Sequence, residues 1–585
     1  MPPRGRGIEP AFDQRWTAAG SPAALLDELD LLLTPQQTRA IILFHQRHVA
    51  WMHNVVYMPF FVRDCEDVRQ TGSALQQDPA WVSLYCAVLC TGVYYMSGRE
   101  HRQLGLDEGY SVAKALYRLT VEVINASDFM LVQSIYSLQA ICVLVLAAHA
   151  FGDTRRMKVL LACANSMGQG LGHRLHLLGS PSDNDTSTST TTFIESVDLQ
   201  IRQRIWCFLC TQDWYLIASK KAYSIVPEHN TTPVPANCRE DFDDIVTAVP
   251  SKAPMQDCPL SVQTQSTYMI FLFRLTSIYR SLFDELRAVQ ANAGTDSNNS
   301  PNAVSACFDH VLAADRRLEA AMGEIDEFSR GGAPSSAQWR ALVITSWHQR
   351  VMIHRTFFCR SFQDKRYHYS RFVCLAAARK ILRSYLDTTT VTSLVAPDAG
   401  ASAADIEIWS IPTHAISGCI ILTLHALFTA EKYTLEKSDV DLVHGCLAVL
   451  RARPRPNSIV DRGIRIIQHL LHTTNTSTSN SPRRNYRRLD PHEISQLARD
   501  IDMDDGEVGT NARAEGGARP GAVPAPMVST ATTRSQYAHS QPDFAQALLN
   551  SQLDAFQSRT NGSVGGDDEL FMPWWFDSML NGYGI

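Results

Sequence analysis

The chain has 585 residues, of which 45% are hydrophobic and 19% are charged, and its formal net charge is −6 at pH 7. This length exceeds what one hydrophobic core usually fills, so we expect two lobes or one large helical body with appended segments. The slight acidity provides no overall attraction for nucleic acid or anionic lipid. The composition therefore excludes binding to either through bulk positive charge.

Residues 1–34 are predicted to form a flexible N-terminal segment. The opening MPPRGRGIEPAFDQRW carries charge and proline without an apolar run behind it, so it is not a secretory signal peptide. The 14 cysteines of the chain lie scattered in apolar segments, which is typical of reduced, buried thiols. We therefore expect an intracellular protein without disulfides.

Residues 35–475 are predicted to form an all-α body, because apolar residues recur at helical spacing and alternating strand patterns are scarce. The apolar stretch 135–151 is interrupted by polar side chains and is shorter than the roughly 20 residues that a membrane span needs. It is interpreted as a core helix, and no membrane association is expected. Polar or small residues predict loops between helical blocks at 181–192, 293–302, 331–337 and 396–405.

Two cysteine pairs raise the question of a metal or redox site. Cys207 and Cys210 form the only C-x-x-C pair, but the segment RQRIWCFLCTQDWY around them is apolar nearly all round. That pattern favours a buried helix over a metal site. Cys86 and Cys90 lie four residues apart in another apolar segment, and core packing is favoured there too.

Three histidines, His45, His48 and His53, follow one another closely in FHQRHVAWMH. The first two could share a helix face as metal ligands, with the third reaching in from the next turn. No carboxylate or cysteine completes a metal shell locally, so a half-exposed helix is favoured. We predict neither a metal ion nor a cofactor.

The run GQGLGHR at 168–174 superficially resembles a glycine-rich phosphate loop. It follows a helical segment instead of a strand, so it is interpreted as the end of a helix. The sequence contains no H-E-x-x-H, Walker-type or G-x-S-x-G motif. The protein is therefore predicted not to be an enzyme, and an enzyme with an unmarked site is the less favoured alternative.

Residues 476–542 are rich in Ser, Thr, Asn, Gly, Pro and Arg and are predicted to form a disordered linker. The linker contains an arginine cluster made of Arg483, Arg484, Arg487 and Arg488. The cluster is interpreted as a nuclear import signal, and the alternative is a solvated charge cluster without a partner. Direct binding to DNA is less favoured, because one short cluster neutralises few phosphates.

Residues 543–585 form an acidic-aromatic C-terminal segment. Its candidate activation anchors are Phe571, Trp574, Trp575 and Phe576, which follow Asp567, Asp568 and Glu569. This composition is typical of activation segments whose rings dock in a partner groove. The alternative is that the segment folds back onto the helical body.

Three stretches, 132–177, 195–244 and 347–382, together resemble the fungal-specific transcription factor domain, which is the middle homology region of fungal zinc-cluster regulators. The first ends in G-L-G-H-R, the second resembles an E-x-x-R-R-x-W-W-x-x-x-x-x-D segment followed by P-x-N, and the third contains H-R-x-F before Y-S-R-x-x-C-L. The second tryptophan usual in the family is Cys207 here. The residues that carry the resemblance are His173, Arg174, Arg202, Arg204, Trp206, Asp213, Pro235, Asn237, His354 and Arg355.

The resemblance implies a helical regulatory domain in a nuclear transcription regulator that controls a metabolic or secondary-metabolite gene cluster. It implies transcription machinery or a DNA-binding protein as partners. The family's six-cysteine zinc cluster is not found before Cys65. We therefore expect either a regulator that does not bind DNA directly or a gene model that has lost its start.

Two alternatives to an activating regulator stay open. The first is a helical module for interaction or metabolite sensing without an activation role, and the second is the unmarked biosynthetic enzyme. Whether the chain forms a homodimer also stays open.

Overall fold

A computed structural model of the chain describes residues 29, 32–71, 78–106, 108–179, 192–240, 253–293, 301–330, 337–387, 408–429, 437–453 and 458–475. Every regular element in these ranges is helical. The predicted all-α class is therefore confirmed.

The helices of the first part of the chain alternate between long core helices and short connecting ones. They are α1 (Pro35–His48), α2 (Ala50–His53), α3 (Met58–Thr71), α4 (Pro79–Tyr95), α5 (Gly98–Gln103), α6 (Gly109–Ala126), α7 (Ile135–Ala148), α8 (Thr154–Gly170), α9 (Phe193–Tyr215) and α10 (Ile217–Lys220).

The second part consists mainly of long helices. They are α11 (Thr267–Ala293), α12 (Pro301–Arg330), α13 (Ala337–Arg360), α14 (His368–Leu386), α15 (Ser410–Thr429), α16 (Lys437–Arg451) and α17 (Ser458–Asn475). α12 begins inside the predicted loop 293–302. Proline is well suited to a first helical position, where its missing N–H is not needed, so Pro301 starts the helix there.

Polar side chains define where several helices begin. The Thr34 hydroxyl accepts from the Gln37 N–H, and the Gln37 side chain accepts in turn from the Thr34 N–H, which forms a capping box for α1. Thr192 and Glu195 do the same for α9. These pairs satisfy N–H groups that the first turn of a helix leaves without partners.

One hydrophobic core runs through the described residues from α1 to α17. α4 packs against α1, α6 and α7, while α9 packs against α7, α8 and α11. In the second part, α14 packs between α13, α15 and α16. The described helices therefore form one large body, which is one of the two arrangements that the length predicts.

α15 is the one described helix that is long and apolar enough to cross a membrane, and 94% of its apolar window is buried inside the fold. The sequence analysis singled out the shorter stretch at 135–151 instead. Both segments are enclosed by other helices, since almost all residues of α7 are buried as well. Burial on all sides explains why neither shows a polar face.

Candidate functional site

The arginine of the tryptophan motif makes an ion pair that is closed off from solvent. Arg204 in α9 donates from Nη1 to Glu240 Oε1 at 2.5 Å, and neither side chain is more than 2% exposed. Burial raises the pKa of the Glu240 carboxyl, and Arg204 together with the Met58 N–H opposes that rise. The pair joins α9 to the irregular chain that precedes α11.

Asp213, eleven residues before Ser224, holds the turn that follows α9 and α10. Its carboxylate accepts from the Ser224 N–H at 2.6 Å, the Ser224 hydroxyl at 2.9 Å and the Ile225 N–H at 2.7 Å. Trp214 adds a bond from its indole N–H to the Ile225 carbonyl at 3.0 Å. The Asp213 carboxylate therefore fixes the backbone at Ser224 and Ile225.

The side-chain amide of Asn237 forms hydrogen bonds through both its nitrogen and its oxygen. Its Nδ2 donates to the carbonyls of Pro259 and Val262 at 3.0 and 2.9 Å. Its Oδ1 accepts from the hydroxyls of Thr264 and Thr267 at 2.6 and 2.9 Å. The side chain thus ties the P-x-N segment, which begins at the buried Pro235, to the first turn of α11.

The third resemblance stretch converges on a carboxylate that the sequence analysis missed. Asp315 in α12 accepts from Arg350 Nε at 2.7 Å and from the Tyr369 hydroxyl at 3.0 Å, and His354 Nε2 lies 3.4 Å from its Oδ1. His354 Nδ1 lies 2.9 Å from the Ser370 hydroxyl. Burial alone would raise the pKa of the Asp315 carboxyl, but the nearby His354 and the hydrogen-bonded Arg350 lower it.

A sequence signal for Asp315 does exist. It follows Val311 by four residues and precedes Leu318 by three, and both of these are buried, so the spacing places the carboxylate on the apolar face of α12. Its partners lie on α13 and α14, which no local pattern connects to α12.

Arg355, next to His354, is also buried. Its Nη2 lies 3.4 Å from the Tyr279 hydroxyl on α11. Burial lowers the pKa of its guanidinium, and the nearby Tyr279 opposes that change. Arg355 thus links α13 to α11 inside the core.

His173 and Arg174 differ from the other motif residues because both are exposed. They lie in the short 3-10 turn Gly172–Arg174, after α8 ends at Gly170. Gly172 has a φ of +53°, in the left-handed region that glycine adopts without strain. The glycine inserted into the family signature therefore has a conformational reason.

Two motif residues of α9 contact the turn that follows α8. Arg202 donates to Asp198 Oδ2 at 2.7 Å and to the Arg174 carbonyl at 3.1 Å. Trp206 is buried, and its ring centroid lies 5.6 Å from that of His176.

Cys207 and Cys210 lie inside α9 and are 4% and 2% exposed. Burial raises the pKa of both thiols, so they are protonated at neutral pH. Within the described ranges, no three His, Cys, Asp or Glu side chains are grouped so that they could hold a metal ion. Both cysteines occupy packing positions in this helix.

α1 is half-exposed as expected, with Arg47 exposed and His48 half-buried, but the rings of His45 and His53 are fully buried. Their Nε2 atoms are 2.9 Å apart. The Val55 N–H donates to His53 Nδ1 at 3.2 Å, so His53 carries its proton on Nε2 and donates it to His45. Burial lowers the pKa of His45 to about 3 and that of His53 well below its usual value, and both therefore stay neutral.

The import and activation candidates lie outside the described residues. They are Arg483, Arg484, Arg487, Arg488, Phe571, Trp574, Trp575 and Phe576. The predicted linker 476–542 and segment 543–585 lie outside them too. Among the candidates that the structure does describe, the buried ones bond to other segments of the fold and so position helices, namely Arg204, Asp213, Asn237, His354 and Arg355.

No protein-family model matches the chain. It is 23% identical over 461 residues to the agnestins biosynthesis cluster transcription factor AgnL11 of Paecilomyces divaricatus, covering 76% of this chain and 63% of the relative. It is 23% identical over 391 residues to the probable transcription factor lepB of Aspergillus flavus, covering 62% of this chain and 66% of the relative. The matches thus span less than two thirds of either relative.

A solved structure, that of the K. lactis CBF3 core, aligns with a TM-score of 0.46 at 14% identity, over 82% of this chain and 90% of that one. By name, both curated relatives are fungal transcription factors, and this chain is similar to them at low identity.

Proposed function

We propose that this protein is a transcription regulator of the fungal type that controls a metabolic or secondary-metabolite gene cluster. The observation that carries the proposal is the 23% identity over 461 residues to a transcription factor named for a biosynthesis cluster. The three resemblance stretches support it, because they imply the same class of protein. A regulator acts by binding other molecules, and this agrees with buried polar motif residues whose contacts position helices.

The proposed mechanism is protein contact in the nucleus. The helical body provides the scaffold, and transcription machinery or a DNA-binding protein provides the partner. The aromatic anchors supply the binding energy, since tryptophan and other large rings dominate protein interfaces. The neighbouring Asp567, Asp568 and Glu569 keep those rings soluble before they bind.

Transcript profiling after gene deletion tests the regulatory role. The expected result is a coordinated change in the mRNA of a group of adjacent biosynthetic genes, which the reintroduced wild-type gene reverses. Unchanged transcripts under conditions in which the protein is made would refute the proposal. Supplying the cluster's product to the deletion strain separates a regulator from a pathway enzyme. Transcript changes caused only by loss of the product would be reversed, whereas those caused by loss of a regulator would persist.

The C-terminal anchors are tested in the full-length protein. Replacing Trp574, Trp575 and Phe576 by alanine is expected to abolish the transcript response while nuclear amounts of protein stay the same. The matched control replaces the three nearby acidic residues by their amides, which keeps the rings and is expected to retain part of the response. Full activity of the alanine variant would exclude the segment as the activating element.

The arginine cluster is tested by localisation. Replacing Arg483, Arg484, Arg487 and Arg488 by glutamine is expected to move a fluorescently tagged protein from the nucleus to the cytoplasm. The control replaces the exposed Arg99 and Arg102 of α5 by glutamine and is expected to leave the distribution unchanged. An unchanged distribution of the quadruple variant would place the import signal elsewhere.

A further inference from the structure

Cys238 and Cys258 meet on the irregular chain that precedes α11. The Cys258 N–H donates to the carbonyl of Asn237, the residue immediately before Cys238, at 3.1 Å. With standard bond lengths, this hydrogen bond keeps the Cα atoms of the two cysteines within about 7 Å of each other. Cysteines that form a disulfide usually have Cα atoms about 4.4–6.8 Å apart. The separation of the two backbones is therefore compatible with a disulfide.

Further hydrogen bonds hold the two segments together at this point. Asn237 Nδ2 donates to the carbonyls of Pro259 and Val262 at 3.0 and 2.9 Å. The Asn237 N–H donates to Asp257 Oδ1 at 2.8 Å. The residue before Cys238 is thus fixed to the residues on both sides of Cys258. A disulfide between cysteines that are already held side by side needs little backbone movement.

The two thiols differ in their access to solvent. Cys258 is half-buried, whereas Cys238 is 1% exposed. Burial raises the pKa of the Cys238 thiol to about 11, the nearby Arg204 opposes that rise, and the neighbouring Cys258 adds to it. This mutual influence fits two sulfur atoms that lie close together. An oxidant in solution therefore reaches Cys258 before Cys238.

We propose that Cys238 and Cys258 form a reversible disulfide on exposure to a peroxide, which makes the pair a site of oxidative modification. Thiols inside cells are normally kept reduced, so the dithiol is the resting form and the disulfide is transient. Cys258 reacts with the peroxide, and Cys238 is the resolving thiol beside it. Redox-sensing cysteines commonly have this arrangement of an accessible thiol next to a second one.

The oxidation proceeds in two steps. In the first, the Cys258 thiolate attacks one oxygen of hydrogen peroxide and the O–O bond breaks. A sulfenic acid forms on Cys258, and the other oxygen leaves as hydroxide, which takes up the proton of the thiol and becomes water. In the second, the Cys238 sulfur attacks the sulfenic sulfur, the S–O bond breaks, and the hydroxyl group leaves with the Cys238 proton as water. The two thiols lose two electrons and two protons in total, and one peroxide molecule becomes two water molecules.

The disulfide would connect the P-x-N segment covalently to the segment that leads into α11. Glu240, which follows Cys238 closely, already pairs with Arg204 on α9. The bond would therefore strengthen the connection between α9 and α11. Because a crosslink restricts the unfolded chain, the oxidised protein is expected to unfold at a higher temperature than the reduced protein. This inference does not rest on the transcription role, because it concerns the chemistry of the purified protein.

The test exposes purified, reduced full-length protein to hydrogen peroxide, unfolds it, alkylates the remaining thiols with N-ethylmaleimide and analyses unreduced tryptic peptides by mass spectrometry. Trypsin cleaves after Arg239 and Lys252, so the two cysteines fall on separate peptides. The expected result is one cross-linked pair, Cys238 with Cys258, which dithiothreitol separates. Absence of this pair, or crosslinks spread over many cysteines, would overturn the proposal.

Two serine variants separate the roles of the cysteines. Cys238→Ser removes the resolving thiol, so peroxide is expected to leave a sulfenic acid on Cys258 that dimedone labels. Cys258→Ser removes the thiol that reacts first, so Cys238 is expected to escape dimedone and to be alkylated in full. Equal dimedone labelling of the two variants would overturn the assignment of Cys258 as the reacting thiol. The wild-type crosslink is measured without any substitution, so it decides the proposal even if a variant fails to fold.

The matched control is Cys307→Ser on α12, since Cys307 is half-buried like Cys258. Peroxide is expected to form the same crosslink in this variant and to raise its unfolding temperature as it does that of the wild-type protein. Cys238→Ser and Cys258→Ser are expected to show no such rise. Loss of the crosslink in Cys307→Ser, or an equal rise in Cys258→Ser, would mean that another cysteine is responsible, and the proposal would fail.

Discussion

At the residue scale, several buried side chains among those that carry the family resemblance connect segments of the fold. Asp213 holds backbone N–H groups, Asn237 holds backbone carbonyls and Arg204 pairs with Glu240. Each is buried, and each connects segments that are distant in sequence. Buried polar groups are costly when they are unsatisfied, so the carboxylate of Asp213 and the amide of Asn237 specify one arrangement of the segments around them. Arg204 differs, because among the described residues only its Nη1 has a hydrogen-bond partner, whereas its Nε and Nη2 are buried without one.

The Arg204–Glu240 pair gives a double-variant prediction. Glu240→Gln leaves the guanidinium buried without a countercharge and is expected to lower the free energy of unfolding by about 3–5 kcal/mol. The double variant Arg204→Met with Glu240→Leu is expected to recover most of that loss, because it removes both charges while filling similar volume. Urea unfolding of the three proteins provides the measurement.

The control for this pair is Arg202→Gln. Arg202 pairs with Asp198, whose side chain is 56% exposed, so its loss is expected to cost less than about 1 kcal/mol. If the double variant were no more stable than Glu240→Gln, the ion pair would not be an energetic unit.

At the element scale, helix packing depends on close approach as much as on apolar content. α4 passes so near α1 that a Cβ built on Gly92 would lie 2.6 Å from Ile41 Cγ2 and 3.2 Å from the Ile41 carbonyl oxygen. The missing side chain therefore sets the distance between the two helices. Gly323 of α12, by contrast, has open space around its Cβ position.

Gly92→Ala is expected to destabilise the protein by about 1–3 kcal/mol, because the added methyl forces α1 and α4 apart. Gly323→Ala is the matched control and is expected to stabilise it by up to about 1 kcal/mol, since alanine is the better helix former. Thermal and urea unfolding of both variants provide the comparison. Equal changes in the free energy of unfolding of the two variants would show that α1 does not lie close enough to Gly92 to exclude a side chain.

At the scale of the whole molecule, several histidines are buried in the core. Burial lowers the pKa of five fully enclosed ones, namely His45, His53, His149, His348 and His414. In the unfolded chain a histidine has a pKa near 6.5. Below about pH 6.5 the unfolded state therefore binds protons that the folded state excludes.

Because the unfolded state takes up these protons, the free energy of unfolding is expected to be highest above about pH 6.5. It falls as the pH drops toward the lowered pKa values near 3. Each histidine contributes a slope of about 1.4 kcal/mol per pH unit well below pH 6.5. Urea unfolding between about pH 7.5 and about pH 5 measures the combined slope. His149→Gln is expected to reduce it by one histidine's share, and stability that does not change over this range would contradict the prediction.

The sequence by itself determined the all-α class of this protein, because the helical spacing of apolar residues is a local property. It also indicated that the apolar segment around Cys207 and Cys210 forms a helix, and it identified the residues that carry the family resemblance. The predicted linker, the arginine cluster and the C-terminal anchors rest on composition alone and stay predictions.

Only the tertiary structure decided which residues meet. The carboxylate of Asp315 lies between Arg350, His354 and Tyr369, and the His45 and His53 rings pair inside the core. Such contacts depend on how whole helices cross, and helix crossing is set by packing over the entire core, which no local spacing records.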